Sequence, residues 1–216
     1  MALTIWVKLQ IDRINISVGI GSSDLYNFVI AQLYGMKDLQ KELVPNGKIT
    51  IKVGHYRTRL NYYAKKLRIA EIEIGMTKLK HRYFKLGLSP SKFGPGDFDK
   101  FKETLSILLP DFCYAKLFET GRVSYIELAA DSMSHKAHSF IPFRRRCNVS
   151  SVYIDKMNNA GSTYVGSHKS VLRFCIYDKY KELTEKHQPA KNITHTRIEA
   201  RARHIKISPC ELLQKM

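Results

Sequence analysis

The sequence predicts an α+β fold: a mostly antiparallel sheet, helices packed on one of its faces, and an open face of bases and acids on the other. Three observations carry this. Period-two alternation recurs in many short segments, turn signals separate them, and only two long stretches have helical spacing. With 44% hydrophobic residues among 216, the chain can build a real core.

The elements follow in order. Residues 3–18 alternate and predict a strand, and residues 24–34 predict a helix. Residues 48–54, 66–75 and 79–87 predict three more strands, broken by turns at Asn46-Gly47 and Gly75-Met76-Thr77. Residues 97–109 carry apolar positions at helical spacing, and Pro110 ends the run. Residues 122–131, 162–166, 171–179 and 195–206 predict the remaining strands, and Phe143–Cys147 falls in a basic loop. Residues 1–207 are expected to form one catalytic domain, with room for two related sheet halves. Near the end, Ser208, Pro209 and Glu211 have the pattern of a helix start: N-cap, first helical residue and capping-box partner. Either the chain closes on a short helix or it is a fragment of a longer protein; both readings stay open.

Charge narrows the function class. Lys plus Arg number 36 against 19 Asp plus Glu, a formal charge of +17 spread along the chain. A folded domain this basic suits a polyanion, and nucleic acid is the expected one. No run of 18 apolar residues exists, so no membrane span is expected. Cys113, Cys147, Cys175 and Cys210 are scattered without CxxC spacing, which predicts free thiols and no zinc site.

Strand periodicity sorts side chains onto faces. Asp12 shares a face with Trp6, Lys8 and Gln10, and Glu127 with Tyr125 and Asp131. Arg173, Cys175, Tyr177 and Lys179 share a third face, opposite Leu172, Phe174 and Ile176. His195, Arg197, Glu199, Arg201 and Arg203 share a fourth. The usual fate of such residues is simple solvation. Aromatics on the polar faces, and Glu199 set among arginines, point instead to a working face. The apolar faces are expected to be buried and the polar ones open to solvent.

If the strands are neighbours, Asp12, Glu127 and Glu199 converge, and carboxylate oxygens suit Mg²⁺ or Mn²⁺. Asp131 is a further candidate that sits farther along its strand. Such an ion could neutralise charge on a phosphodiester. Tyr177 is the candidate nucleophile. A phenol with an ordinary pKa near ~10 needs help to attack, and Arg173 and Lys179 beside it could give positive charge. Arg173, Arg197, Arg201, Lys169, Trp6, Arg144 and Arg145 are the candidate DNA contacts. A His-X-His metal pair is not supported, since two residues separate His135 from His138 and His195 and His204 are far apart. His168 in the Gly166–Ser170 turn could touch phosphate.

These runs have a family likeness. Thr163–Glu182 (TYVGSHKSVLRFCIYDKYKE) resembles the YxGSxxS…RIYDK…E segment of the replication initiation factor family, which includes rolling-circle initiators of plasmids and filamentous phages. His195–Arg203 (HTRIEARAR) resembles its RxEx+ strand, and Val123–Asp131 (VSYIELAAD) its TRIDLAxD strand. Order and spacing are kept. The resemblance implies a metal-dependent enzyme that nicks and rejoins single-stranded or melted origin DNA through a 5′-phosphotyrosine. It puts the tyrosine on Tyr177 and the metal-binding acids on Glu127 and Glu199, with Asp12 as a third. It also implies a bacterial cytoplasmic setting, with host helicase and polymerase as partners. Two positions depart from the pattern: Glu127 replaces the usual Asp, and Tyr125 the usual Arg. Tyr180 is expected to face away on a continuing strand. The alternatives are a non-enzymatic single-stranded DNA-binding protein and a metal-dependent nuclease that uses water.

Overall fold

The computed structural model describes residues 8–39, 48–53, 57–108, 117, 119–140, 149–154, 160–187, 189, 194–205 and 207–214. Within them lie ten strands with mostly antiparallel pairing, and helices interrupt the strand sequence. The chain forms two compact units. The first holds Asp12–Tyr125 and the residues from His204 onward; the second holds Ile126–Arg203 and the start of the chain up to Ile11.

In the first unit β2 (Lys48–Val53), β3 (Arg57–Ala64), β4 (Leu67–Met76), β5 (Arg82–Leu88) and β1 (Lys8–Gly19, from Asp12 on) lie side by side. Their register lines apolar side chains into rows. Ile51 faces Leu60, Leu60 faces Ile72, Ile72 faces Leu86, and Leu86 faces Ile16. Helices α1 (Ser23–Leu39) and α2 (Asp97–Leu108) supply Val29, Phe101 and Leu105 to the same core. Tyr62 seals it with its ring centroid 5.4 Å from that of Phe101. Alternation explains this: every second residue of β3 (Thr58, Leu60, Tyr62, Ala64) is buried. That period was visible in the sequence, yet β3 was not among the expected strands.

The second unit has the order β6 (Arg122–Ser132, from Ile126 on), β10 (Thr196–Arg203), β9 (Leu172–Asp178), β8 (Ala160–Val165) and β7 (Ser150–Ile154). Strand β7 is a second element the sequence reading lacked. Gly166, at φ +97°, opens the turn from β8 to β9; a Cβ there would stand 2.8 Å from the Leu172 carbonyl oxygen. Ser170 closes that turn, donating its N–H to Ser167 O at 3.1 Å. After β9 the chain does not continue as a strand. The Asp178 carboxylate accepts from the Lys181 N–H at 3.0 Å and caps helix α3 (Lys179–Glu185). Lys179 and Tyr180 are therefore helical, which corrects the expectation of an extended strand through residue 179. The C-terminal helix α4 (Pro209–Gln214) begins with a complete capping box. Glu211 accepts from the Ser208 N–H at 2.6 Å, and Ser208 Oγ from the Glu211 N–H at 3.1 Å. None of the described helices is long and apolar enough to cross a membrane.

Candidate active site in the second unit

Register assembles one side of the second sheet. Tyr177 stands opposite Arg197 on β10 and Ser162 on β8; Cys175 stands opposite Glu199 and Tyr164. Cross-strand partners share a face, so Tyr177, Arg197, Cys175, Glu199, Arg173 and Arg201 share one. The sequence grouping by faces is thus what the register has. Exposure is another matter. This face was expected to be open, yet Cys175 is 1%, Glu199 2% and Arg173 7% exposed. Leu172 and Phe174, expected inside, are 49% and 40% exposed. Alternation says which residues share a face, not which face its neighbours cover.

Tyr177 is the centre of the arrangement. Its hydroxyl donates to Glu199 Oε1 at 2.6 Å, diagonally across the β9–β10 pair. Burial pushes the phenol pKa well above its usual value, and the Glu199 charge and this hydrogen bond push it further. The positive charge of Arg197 opposes them only weakly. The expected activation by neighbouring cations is therefore reversed here: the hydroxyl stays protonated and aims its proton at a carboxylate. Lys179 lies 5.6 Å from the Tyr177 ring centroid and pairs with Glu182 at 2.6 Å. It neighbours Tyr177 from the helix and not from the strand.

Glu199 and Glu127 offer carboxylate oxygens within 4.8 Å of one another. Arg201 bridges them, with Nε 3.4 Å from Glu127 Oε1 and 3.1 Å from Glu199 Oε2. Its second nitrogen also contacts Glu199. The oxygen donors suit a hard divalent cation, and Arg201 is the group such an ion would displace or share them with. Asp131 is not part of this pair. Arg197 holds it in a bidentate grip at 2.7 and 2.8 Å, and His195 Nε2 lies 3.1 Å away. Burial raises the Asp131 pKa, but Arg197 and His195 outweigh it, and the carboxyl sits below its ordinary range.

The other expected contacts divide. Arg173 is buried, with its guanidinium 4.3 Å from the Tyr164 ring centroid and one nitrogen 2.8 Å from His168 Nδ1. Lys169 is exposed in the Gly166–Ser170 turn. Asp12, the first residue of the first unit, accepts from Ser91 Oγ. Trp6, Arg144 and Arg145 lie outside the described residues. Cys175 is no competing nucleophile, since burial raises its thiol pKa to about 11.

A cavity of about 400 Å³ opens beside Tyr177, lined also by Tyr153, Ser162, Tyr164, Glu182 and Arg201. Tyr153 and Tyr164 were missed in the sequence. Tyr164 is the first tyrosine of the quoted YVGS motif but was given no role, and Tyr153 lies in a strand that had not been recognised. Among known proteins, no family model matches this chain and no curated protein matches it, so its family likeness rests on the three quoted motifs.

Proposed function

We propose that this protein is a metal-dependent single-stranded DNA nicking and joining enzyme of the replication initiation factor type, with Tyr177 as nucleophile. The observation that carries the reading is the Tyr177–Glu199 hydrogen bond of 2.6 Å at the edge of the cavity. A nucleophile held by a base, on a wall that a substrate can reach, is the arrangement covalent catalysis requires. Glu199 accepts the phenolic proton as the tyrosine oxygen attacks phosphorus. The new O–P bond forms, the P–O3′ bond breaks, and the departing 3′ oxygen takes a proton from solvent. The 5′ phosphate stays on Tyr177, and the reverse reaction rejoins the strand. When bound, Mg²⁺ or Mn²⁺ at Glu127 and Glu199 would supply charge neutralisation at the phosphoryl oxygens. Asp12 is proposed as a third oxygen donor from its place on the polar face of the first strand, with the family likeness extending to it only weakly. Origin DNA, helicase and polymerase as partners, and a bacterial cytoplasmic location, belong to the same proposal.

The test is a 3′-labelled single-stranded DNA incubated with the protein and Mn²⁺, then denatured. A labelled adduct is expected with the native chain, none with Tyr177→Phe, and none after chelation. An adduct that persists in Tyr177→Phe would sink the assignment. Glu199→Gln should slow adduct formation at least ~100-fold, on the scale general-base removal costs.

Arg201 favours a second reading. A guanidinium already neutralises Glu127 and Glu199, as a non-enzymatic DNA-binding protein would need. That reading predicts salt-sensitive binding with no adduct at any metal concentration.

A further inference from the structure

The cavity beside Tyr177 has a composition that phosphate chemistry does not account for. Its volume, about 400 Å³, falls in the range of small-molecule sites, roughly 300–1,000 Å³. One wall is aromatic. Tyr153 is 59% exposed, and its ring meets Tyr164 edge-on, with centroids 5.5 Å apart and planes at 85°. Arg173 in turn stacks on Tyr164 at 4.3 Å. The exposed ring thus rests on a half-buried, clamped neighbour, and little order remains to be gained on binding. Asp178 at the end of β9, Lys181, Glu182 and Glu185 of α3, and Arg201 of β10 also line the cavity. The carboxylates of this lining can accept hydrogen bonds from the ring or amino N–H groups of a base, and the aromatic wall offers a surface to stack on.

We propose that this cavity receives the base of the nucleotide flanking the scissile phosphate of single-stranded DNA, stacked on Tyr153. The inference rests on the reading of Tyr177 as nucleophile, because that residue fixes where the phosphate would lie. Phosphate goes to Tyr177, and the attached base goes to the cavity it borders. Base–aromatic stacking tolerates all four bases, so the pocket fixes the position of the strand more than its sequence.

Binding without chemistry tests this separately from nicking. The full chain, in chelator, is titrated with a labelled dT12 and with a 12-residue strand of the same backbone lacking every base. Native protein should hold dT12 about tenfold more tightly than the abasic strand, within what one stacked base contributes. Tyr153→Ala should erase that preference, and Tyr153→Phe should keep it. Val152→Ala, the exposed neighbour on the same strand, should change nothing. Equal preference in native protein and Tyr153→Ala would overturn the pocket even where the Tyr177 adduct forms. Loss of the preference with no adduct from native protein would keep a base site and discard the nicking reading. Thymidine monophosphate competing as well as dT12 would overturn the strand as the ligand.

Discussion

Each unit holds a tyrosine bonded diagonally across a strand pair to a buried glutamate, and the two serve different ends. In the first unit Tyr83 on β5 donates to Glu73 on β4 at 2.7 Å. In the second, Tyr177 on β9 donates to Glu199 on β10 at 2.6 Å. The surroundings differ. Glu73 faces Lys85 across the strand pair, and Arg59 Nε reaches it at 2.5 Å, with Arg57 at 3.9 Å. Its neighbour Glu71 is taken by Arg68 at 2.8 Å and Arg13 at 3.9 Å. Tyr177 instead borders a cavity of about 400 Å³. The same bond ties a sheet together in one place and borders a substrate-sized space in the other. A buried tyrosine–carboxylate pair is thus no functional signal by itself; the second pair is marked by the cavity that Tyr177 lines, the first by the cations gathered on Glu73.

The comparison breaks most visibly at the tyrosines. Tyr177→Phe is expected to abolish the adduct, while Tyr83→Phe should leave its rate within about twofold. Tyr83→Phe should cost only about 1 kcal/mol of stability in urea unfolding, the scale of one hydrogen bond. Comparable adduct loss from both would show that neither bond is special to catalysis. Packing gives the next contrast. Leu60→Ala, at 1% exposure in the first core, should cost about 2–5 kcal/mol. Leu172→Ala, half exposed on the second sheet, should cost under about 1 kcal/mol. The carboxylates give a smaller effect. Glu73→Gln leaves Arg59 without its ionic partner. Because that arginine is 40% exposed, solvent screening limits the loss of this pair to about 1 kcal/mol or less. No change in the urea midpoint would mean Arg59 finds water as good a partner.

The smallest effect is in pH. Burial raises the Glu182 pKa, but Lys179 and Lys186 overcome this and hold the carboxyl at about 2, below its ordinary 4.5. A depressed folded value stabilises α3 fully above about pH 4.5 and loses that contribution as pH falls toward about 2. Helical signal from α3 should fade over that window in native protein and be insensitive to it in Glu182→Gln. An identical fade in both would assign the effect to other carboxyls.

Much of the second sheet was legible in the sequence. Alternation found β6, β9 and β10 and grouped Tyr177 with Arg173 and Cys175, because the side-chain period of a strand is a local property. The capping box at Ser208 and Glu211 was legible for the same reason. Burial was not, since it depends on what packs over a face from elsewhere in the chain; hence Leu172 came out exposed and Arg173 covered. Helix α3 was missed although Asp178 is a good N-cap, because YDK continued a strand pattern up to the capping residue. Glu71 and Glu73 alternate with isoleucines in β4, so their shared face was readable. Their arginine partners come from β1, β3 and the start of β4, and only the fold joins them.

Strands β1 and β6 are each cut by the boundary between the units, at Ile11–Asp12 and Tyr125–Ile126. Neither unit is therefore one continuous stretch of chain. The second closes only when the first residues of the protein meet a segment that begins more than a hundred positions later. Such long-range closure is slow, because a large loop must be ordered before its contacts form. On a ribosome the segment up to Ile11 would wait for most of the polypeptide to be made. An expression boundary placed at Ile126 would remove that segment and split β6, so a dissected second unit should be built as a circular permutant that carries residues 1–11 after Arg203.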